Sequence, residues 1–207
     1  MPYKGQQIMA GVQSRIRATR RSYVRVLGIV GWSGSGKTLL ITKIIPLLAK
    51  RGLRIATLKH AHHSFEVDKP GKDSYEHRKA GAGEVIISSS QRWVQMHELD
   101  GRAEASFAQL LKRLSPCDLV LVEGYKSEKH AKIEVFRQAL GKEPLYPTDE
   151  HIVAIASHPM IEHALIPVID LNDIDSVANM VFTSAEPLEL LLARLGDLPN
   201  PTALRSE

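Results

Sequence analysis

Residues 24–50 read VRVLGIVGWSGSGKTLLITKIIPLLAK, and they give the strongest indication of the fold of this chain. The first seven form a short β-branched and apolar run, which is typical of a buried parallel strand. From Lys37 to Lys50 the apolar residues recur at helical spacing, and Gly52 is placed to end the helix. Residues 31–36, rich in glycine, lie between these two patterns. The sequence therefore predicts a strand, a tight loop and a helix in direct succession.

The loop, GWSGSGKT at residues 31–38, matches the pattern G-x-x-x-x-G-K-[ST] at every fixed position. Its glycines allow successive backbone N–H groups to point inward around a phosphate, and the helix adds its positive end. Lys37 can reach the β and γ oxygens, and the Thr38 hydroxyl is placed to ligate Mg²⁺. We predict that the phosphates of a purine nucleoside triphosphate bind to Gly31, Trp32, Ser33, Gly34, Ser35, Gly36, Lys37 and Thr38.

Two other interpretations of the loop are weaker. A Gly- and Ser-rich turn with an incidental lysine would not require a strand before it and a helix after it, yet both are predicted. A dinucleotide-binding fingerprint, G-x-G-x-x-G with an acidic residue about 20 positions later, fails on spacing. That fingerprint also gives Lys37 and Thr38 no role.

The remainder of the chain alternates strand and helix patterns. Residues 84–89 and 92–98 are two strand candidates separated by a few polar residues, which suggests a hairpin. Further strands are predicted at residues 53–59, 118–122, 132–137, 152–156 and 166–170, and helices at 74–80, at 103–114 and twice after Asp173. This alternation favours a three-layer α/β P-loop NTPase fold, with a mostly parallel central sheet, an added β-hairpin and a site at the carboxyl ends of the strands.

Charge is distributed unevenly along the 207 residues. The net charge is +4, but residues 1–25 contain six basic and no acidic residues, so the rest of the chain is slightly acidic. This distribution argues against a nucleic-acid partner for the body of the protein. We predict a disordered basic extension at 1–22, a nucleotide-binding domain at 23–184 and a C-terminal helix and tail at 185–207. The extension is either a solvated segment or the product of an upstream start codon, with Met9 as the rival start. The alternatives are a leader similar to an organellar transit peptide, or a segment that makes a weak phosphate or membrane contact.

The single cysteine, Cys117, excludes an intramolecular disulfide framework and any metal site built from several cysteines. No apolar run approaches the roughly 20 residues that a membrane helix requires. We therefore expect a soluble, cytoplasmic protein without a membrane partner.

Glu123 directly follows the apolar run DLVLV and should emerge at the carboxyl edge of the sheet, close to the loop. An acidic residue there can hold Mg²⁺ or orient an attacking water, so Glu123 is the candidate catalytic and metal-binding residue. The usual acid at this edge is an Asp, but Asp118 lies at the start of the strand. The alternative is that Glu123 is an ordinary surface glutamate.

Three histidines, His60, His62 and His63, suggest zinc, but no recognised ligand spacing accompanies them. A polar loop that faces the nucleotide explains them equally well. Four charged residues of the same segment could bind phosphate or Mg²⁺, or could simply be solvated: Lys59, Asp68, Lys72 and Asp73.

Guanine-binding proteins commonly end a strand with N-K-x-D, whose carboxylate accepts two hydrogen bonds from the base. The nearest approach here is Asn172 to Asp175, which lacks the lysine. These two residues are candidate base-binding residues, although the same segment is also a good helix N-cap.

The run from VLGIVGWSGSGKT through KHAHH and DKPGKDS, followed by DLVLVEGYK, closely resembles the MobB family of molybdopterin-guanine dinucleotide biosynthesis adapter proteins. The resemblance spans roughly residues 24–180. It implies a dimeric protein that binds GTP and Mg²⁺, has weak GTPase activity at most and assists the guanylyltransferase that attaches GMP to molybdopterin. Contact with the molybdopterin cofactor itself is a further possibility. The alternative is a small-molecule kinase that uses ATP.

Overall fold

The computed structural model describes residues 24–61 and 65–197, which form two compact units. The sheet unit comprises residues 24–60 and 107–197, and the hairpin unit comprises 61 and 65–106. The predicted basic extension at 1–22, His62, His63 and the end of the tail lie outside the described residues. The predicted domain boundaries at 23–184 and 185–207 stay predictions.

The sheet unit contains seven strands: β1 Arg25–Val30, β2 Ile55–Lys59, β5 Leu119–Glu123, β6 Lys132–Phe136, β7 Ile152–Ser157, β8 Val168–Asp170 and β9 Glu186–Pro187. Six of them are parallel in the order β2-β5-β1-β6-β7-β8. The short β9 pairs antiparallel with the start of β1. Because β1 is central, the residues that follow it emerge in the middle of the carboxyl edge.

Helices cover both faces of this sheet. Leu27 and Ile29 of β1 pack with α1 Lys37–Lys50 and α4 Ile174–Ser184 on one face. Val24 and Val26 pack with α3 Phe107–Arg113 and α5 Leu188–Arg194 on the other. The side chains of a strand alternate between faces, so the near-continuous apolar sequence of β1 supplies both layers. The predicted three-layer α/β fold is confirmed, and α1 begins at the predicted residue.

The hairpin unit contains α2 Asp73–Lys79 and an antiparallel pair, β3 Glu84–Ser88 and β4 Trp93–His97. This pair is the predicted hairpin, and it forms a sheet separate from the seven-stranded one. Arg78 of α2 donates hydrogen bonds to Asp68 and to Glu98, which ties the helix to the segments on either side of it. Asp68 therefore has a structural partner within its own unit.

Several predicted elements are longer than those observed, and for two of them the structure shows a physical reason. The helix predicted at 103–114 spans Phe107–Arg113, because Arg102 instead closes a turn by donating to the carbonyls of Glu98 and Leu99. The strand predicted at 166–170 spans Val168–Asp170, and Pro167 before it has no N–H to donate to a neighbouring strand. Of the helices in the described ranges, none is long enough and apolar enough to cross a membrane.

Candidate nucleotide site

The phosphate loop depends on glycine at its two ends. Gly31 has φ +140°, and a Cβ atom there would lie 2.4 Å from the carbonyl oxygen of Val135. Gly36, the residue before α1, has φ +98°, which is left-handed backbone that L side chains rarely adopt. The loop between them can therefore turn tightly, and its second end leads into the positive N-terminus of a 14-residue helix.

Lys37 lies over the loop. Its Nζ donates to the carbonyl oxygens of Gly31, at 3.0 Å, and Trp32, at 2.9 Å. Partial burial lowers the pKa of Lys37, and the nearby ammonium groups of Lys126 and Lys59 act in the same direction while Glu123 opposes them. These positive neighbours favour a bound anion at this point.

Glu123 lies beside the first turn of α1, as its position at the end of β5 predicted. β1 lies between β5 and β6, and Glu123 is level with Ile29 of β1 and with Lys59 of β2. Thr38 donates its hydroxyl hydrogen to Glu123 Oε1 at 2.6 Å, and Lys59 Nζ lies 3.2 Å from the same oxygen. The two predicted metal-binding side chains, Thr38 and Glu123, are thus in direct contact.

Asp118, by contrast, lies at the opposite edge of the sheet. Its carboxylate accepts hydrogen bonds from the Arg54 guanidinium at 2.7 and 2.9 Å. This position agrees with the choice of Glu123 over Asp118 as the acidic residue near the loop.

His60 belongs to the edge of the site. Its N–H donates to the carbonyl oxygen of Glu123 at 3.0 Å, and its ring contacts Tyr125 with centroids 4.8 Å apart. Gly124, between Glu123 and Tyr125 in the sequence, has φ +89°, and a Cβ there would lie 3.4 Å from His60 Cβ. Within the described residues no group of three or more His, Cys, Asp or Glu side chains could hold a metal ion.

The structure adds residues that the sequence analysis missed. Arg137, directly after β6, donates from Nε to the carbonyl oxygen of Ser35 at 2.9 Å. Trp32 donates from Nε1 to the carbonyl oxygen of Glu143 at 2.8 Å, and Lys126 Nζ lies 4.7 Å from the centre of its ring. The available signal was a basic residue immediately after a strand, in the sequence KIEVFR, but its relevance required the strand order.

The candidate base-binding residues lie at the β8 end of the carboxyl edge of the sheet, whereas the phosphate loop lies at the middle of that edge. Asn172 follows β8, where its N–H donates to Asp170 Oδ1, and Asp175 is in the first turn of α4. The helix is capped by Asp173, which accepts from the N–H of Ser176 at 3.1 Å. β8 is three strands from β1, roughly 14 Å away at the usual spacing of strands. Base recognition by Asn172 and Asp175 stays a prediction.

The residues present fit a magnesium triphosphate. Mg²⁺ prefers oxygen ligands and takes few of them from the protein when it is bound to nucleotide phosphates. The Thr38 hydroxyl and the Glu123 carboxylate are such ligands, and they meet beside Lys37. Ser35 Oγ is buried in the loop and has no hydrogen-bond partner among the described residues. The positive charge of Lys37, the shape of the loop and the oxygen ligands therefore all fit a bound triphosphate with Mg²⁺.

Comparison with known proteins places the chain in context. Residues 26–158 match the family model described as "MobB: Molybdopterin guanine dinucleotide synthesis protein B". The chain is 43% identical over 164 residues to the "Molybdopterin-guanine dinucleotide biosynthesis adapter protein" of Escherichia coli, an alignment that covers 78% of this chain and 93% of that protein. The protein of the same name from Haemophilus influenzae is 41% identical over 161 residues, covering 76% and 88%.

Solved structures show the same fold. The crystal structure of Bacillus subtilis MobB matches with a TM-score of 0.62 and 22% identity, over 78% of this chain and 98% of that one. A MobB homologue from Bacillus stearothermophilus matches with a TM-score of 0.56 and 26% identity, over 76% and 98%.

Proposed function

This chain belongs to the MobB family, and we propose that it is an adapter protein of molybdopterin guanine dinucleotide biosynthesis that binds Mg²⁺ and GTP on residues 31–38. The main support for nucleotide binding is the hydrogen bond of 2.6 Å from the Thr38 hydroxyl to Glu123, at the point where the loop enters α1. A chance glycine turn would not require an acidic residue from a neighbouring strand at that position.

Each side chain has a distinct task in this proposal. The loop N–H groups and the N-terminus of α1 bind the β-phosphate, and Lys37 moves from the loop carbonyls to the β and γ oxygens. Thr38 and Glu123 hold Mg²⁺, which supplies positive charge to the phosphates when bound. Lys59 then orients the Glu123 carboxylate through its ion pair.

Hydrolysis is expected to be slow. Oε1 of Glu123 already contacts Thr38 and Lys59, so this carboxylate serves the metal rather than acting as a free general base. A catalytic contribution of Glu123 is then limited to orienting water around the metal. Weak GTPase activity fits a protein whose task is binding rather than turnover.

The choice of GTP rests on the family resemblance, and we propose Asn172 and Asp175 as the base-binding residues. The relatives' name, adapter protein, supports a partner within the pathway, and we propose that this partner is the molybdenum cofactor guanylyltransferase. We further propose a cytoplasmic homodimer, with the molybdopterin cofactor as a second ligand of the assembly.

A reconstituted reaction tests this function. A purified guanylyltransferase would be supplied with molybdopterin, Mg²⁺ and GTP, and the guanine dinucleotide formed would be measured with and without this protein. We expect wild-type protein and Lys43→Ala, a control on the exposed side of α1, to increase product equally, and Lys37→Ala to give little increase.

Two outcomes would contradict the proposal. If Lys37→Ala increased product as much as wild type does, the adapter role would not depend on the phosphate loop. Rapid consumption of ATP that depends on a small hydroxyl-bearing acceptor would instead favour the kinase alternative.

A further inference from the structure

Arg137 approaches the phosphate loop from outside. It follows β6, the strand next to β1, so its side chain emerges beside the loop at the carboxyl edge. Nε donates to Ser35 O at 2.9 Å, and Nη2 and Nε lie 3.7 and 3.8 Å from the place a Cβ of Gly36 would occupy. The guanidinium therefore lies against the peptide that joins Ser35 to Gly36.

That contact fixes the direction of one N–H group. The Ser35 carbonyl and the Gly36 N–H belong to the same peptide, which is trans. In a planar trans peptide the C=O and N–H point in opposite directions. Because the carbonyl points to Arg137, the Gly36 N–H points away from Arg137. Gly36 is also the residue before α1, where a bound phosphate would accept.

The segment that follows Arg137 is itself attached to the loop. A Cβ on Gly34 would lie 3.7 Å from Leu140 Cδ2, and the Trp32 indole donates to the Glu143 carbonyl. The far end of the segment is held by the fully buried Glu134, whose carboxylate accepts from the N–H groups of Leu145 and Tyr146 at 2.8 and 2.9 Å. Arg137 is thus presented by a segment fixed at several points.

We propose that Arg137 is a positioning residue for nucleotide binding: it holds the Ser35 carbonyl outward so that the Gly36 N–H faces the β-phosphate. This inference rests on the proposed nucleotide site and adds a residue to it. The role is carried by the Nε donor rather than by the positive charge. A peptide that is fixed in advance loses less conformational freedom when the phosphate binds.

Three substitutions separate the donor from the charge. Arg137→Gln keeps an amide donor four atoms from Cα, as Nε is, and removes the charge. Arg137→Lys keeps the charge without a donor at that reach, and Arg137→Leu removes both. Arg54→Leu is the matched control, because Arg54 pairs with Asp118 at the opposite edge of the sheet.

Calorimetric titration with GDP, GTP and GMP in Mg²⁺ provides the measurement. We expect Arg137→Leu to weaken GDP and GTP binding about tenfold, because the peptide that joins Ser35 to Gly36 is then fixed only when the phosphate binds, and to leave GMP affinity within about twofold. Arg137→Gln should recover most of that loss and Arg137→Lys little of it. The Gly36 amide proton, followed by NMR, should shift on GDP binding in wild type and Arg137→Gln and shift much less in Arg137→Leu.

Wild-type affinity in Arg137→Leu would overturn the inference. So would recovery by Arg137→Lys and not by Arg137→Gln, because the charge would then be the active feature. Lys37→Ala is titrated in parallel: if it also binds GTP as wild type does, the proposed nucleotide site fails as a whole. If Lys37→Ala loses binding and Arg137→Leu does not, the failure belongs to Arg137 alone.

Discussion

Gly28 lies in β1, three residues before the phosphate loop, and we predict that Gly28→Ala destabilises the sheet unit through contact with His130. Gly28 has ordinary strand backbone, since it is not among the glycines with positive φ. The added Cβ would lie 2.3 Å from His130 Nε2, 2.7 Å from Lys132 Cγ and 2.9 Å from His130 Cδ2. Both neighbours are buried side chains, at 0% and 1% exposure, so neither can simply swing into solvent.

The magnitude follows from those three contacts. One methyl group forced into a filled interior costs about 1–3 kcal/mol, and three contacts below 3.0 Å place this case at about 2–3 kcal/mol. His130→Ala removes two of the three contacts. The double substitution Gly28→Ala with His130→Ala should therefore be less destabilised than the sum of the single ones by about 1–2 kcal/mol.

Urea unfolding followed by circular dichroism measures the free energy of unfolding for the four proteins of this cycle. Gly83→Ala is the matched control, because its added Cβ would meet its nearest atom at 3.9 Å, and it should stay within about 0.5 kcal/mol of wild type. Unchanged stability of Gly28→Ala, or exact additivity in the cycle, would refute the packing described between β1 and His130.

Three further predictions concern protonation, metal and fluorescence. Burial lowers the pKa of His130 to about 3, with the Lys132 charge adding to the effect, whereas the unfolded chain protonates near 6.5. The unfolded state thus binds more protons below pH 6.5, so the free energy of unfolding falls as the pH falls toward 3, by up to about 1.4 kcal/mol per pH unit. In urea unfolding from pH 3.5 to 7, the free energy of unfolding of His130→Ala should depend less steeply on pH than that of wild type. Thr38→Val should reduce the gain in GTP affinity on adding Mg²⁺ about tenfold, and Thr38→Ser should keep it, which calorimetry with and without Mg²⁺ would check. In a Trp93→Phe variant the remaining Trp32, which contacts Lys126, should change its emission when GTP binds, and constant emission would contradict its position beside the phosphates.

The local elements of the site could be predicted from sequence. The β1 run, the glycine positions and the helical spacing after Lys37 are all local patterns, and the structure has strand, loop and helix where they were expected. Glu123 could be placed because it ends an apolar run, and parallel strands end at one edge of a sheet. The Thr38 contact then follows from β5 lying beside β1.

The strand order and its consequences could not be predicted. That β6 lies on the other side of β1 depends on pairing between residues about 100 positions apart, and this pairing is what brings Arg137 to Ser35. The burial of two charged residues in β6 could not be predicted either. Lys132 and Glu134 look like the polar face of an edge strand, yet both are buried, because Asp149 and the N–H groups of Leu145 and Tyr146 satisfy them.

The division into two units was also beyond the sequence. The hairpin at β3 and β4 was predicted from its two strand patterns, and its strands pair with each other in a sheet separate from the seven-stranded one. Arg78 forms ion pairs with Asp68 and Glu98 within the hairpin unit, and no local sequence pattern predicts such a cluster.

Calorimetric titration of wild type, Lys37→Ala and Lys43→Ala with GTP and with ATP in Mg²⁺ shows whether residues 31–38 bind Mg²⁺ and GTP. We expect GTP to bind more tightly than ATP, Lys37→Ala to lose GTP affinity at least tenfold and Lys43→Ala to match wild type. Equal GTP affinity in wild type and Lys37→Ala, or a clear preference for ATP, would refute the proposed binding of GTP on this loop.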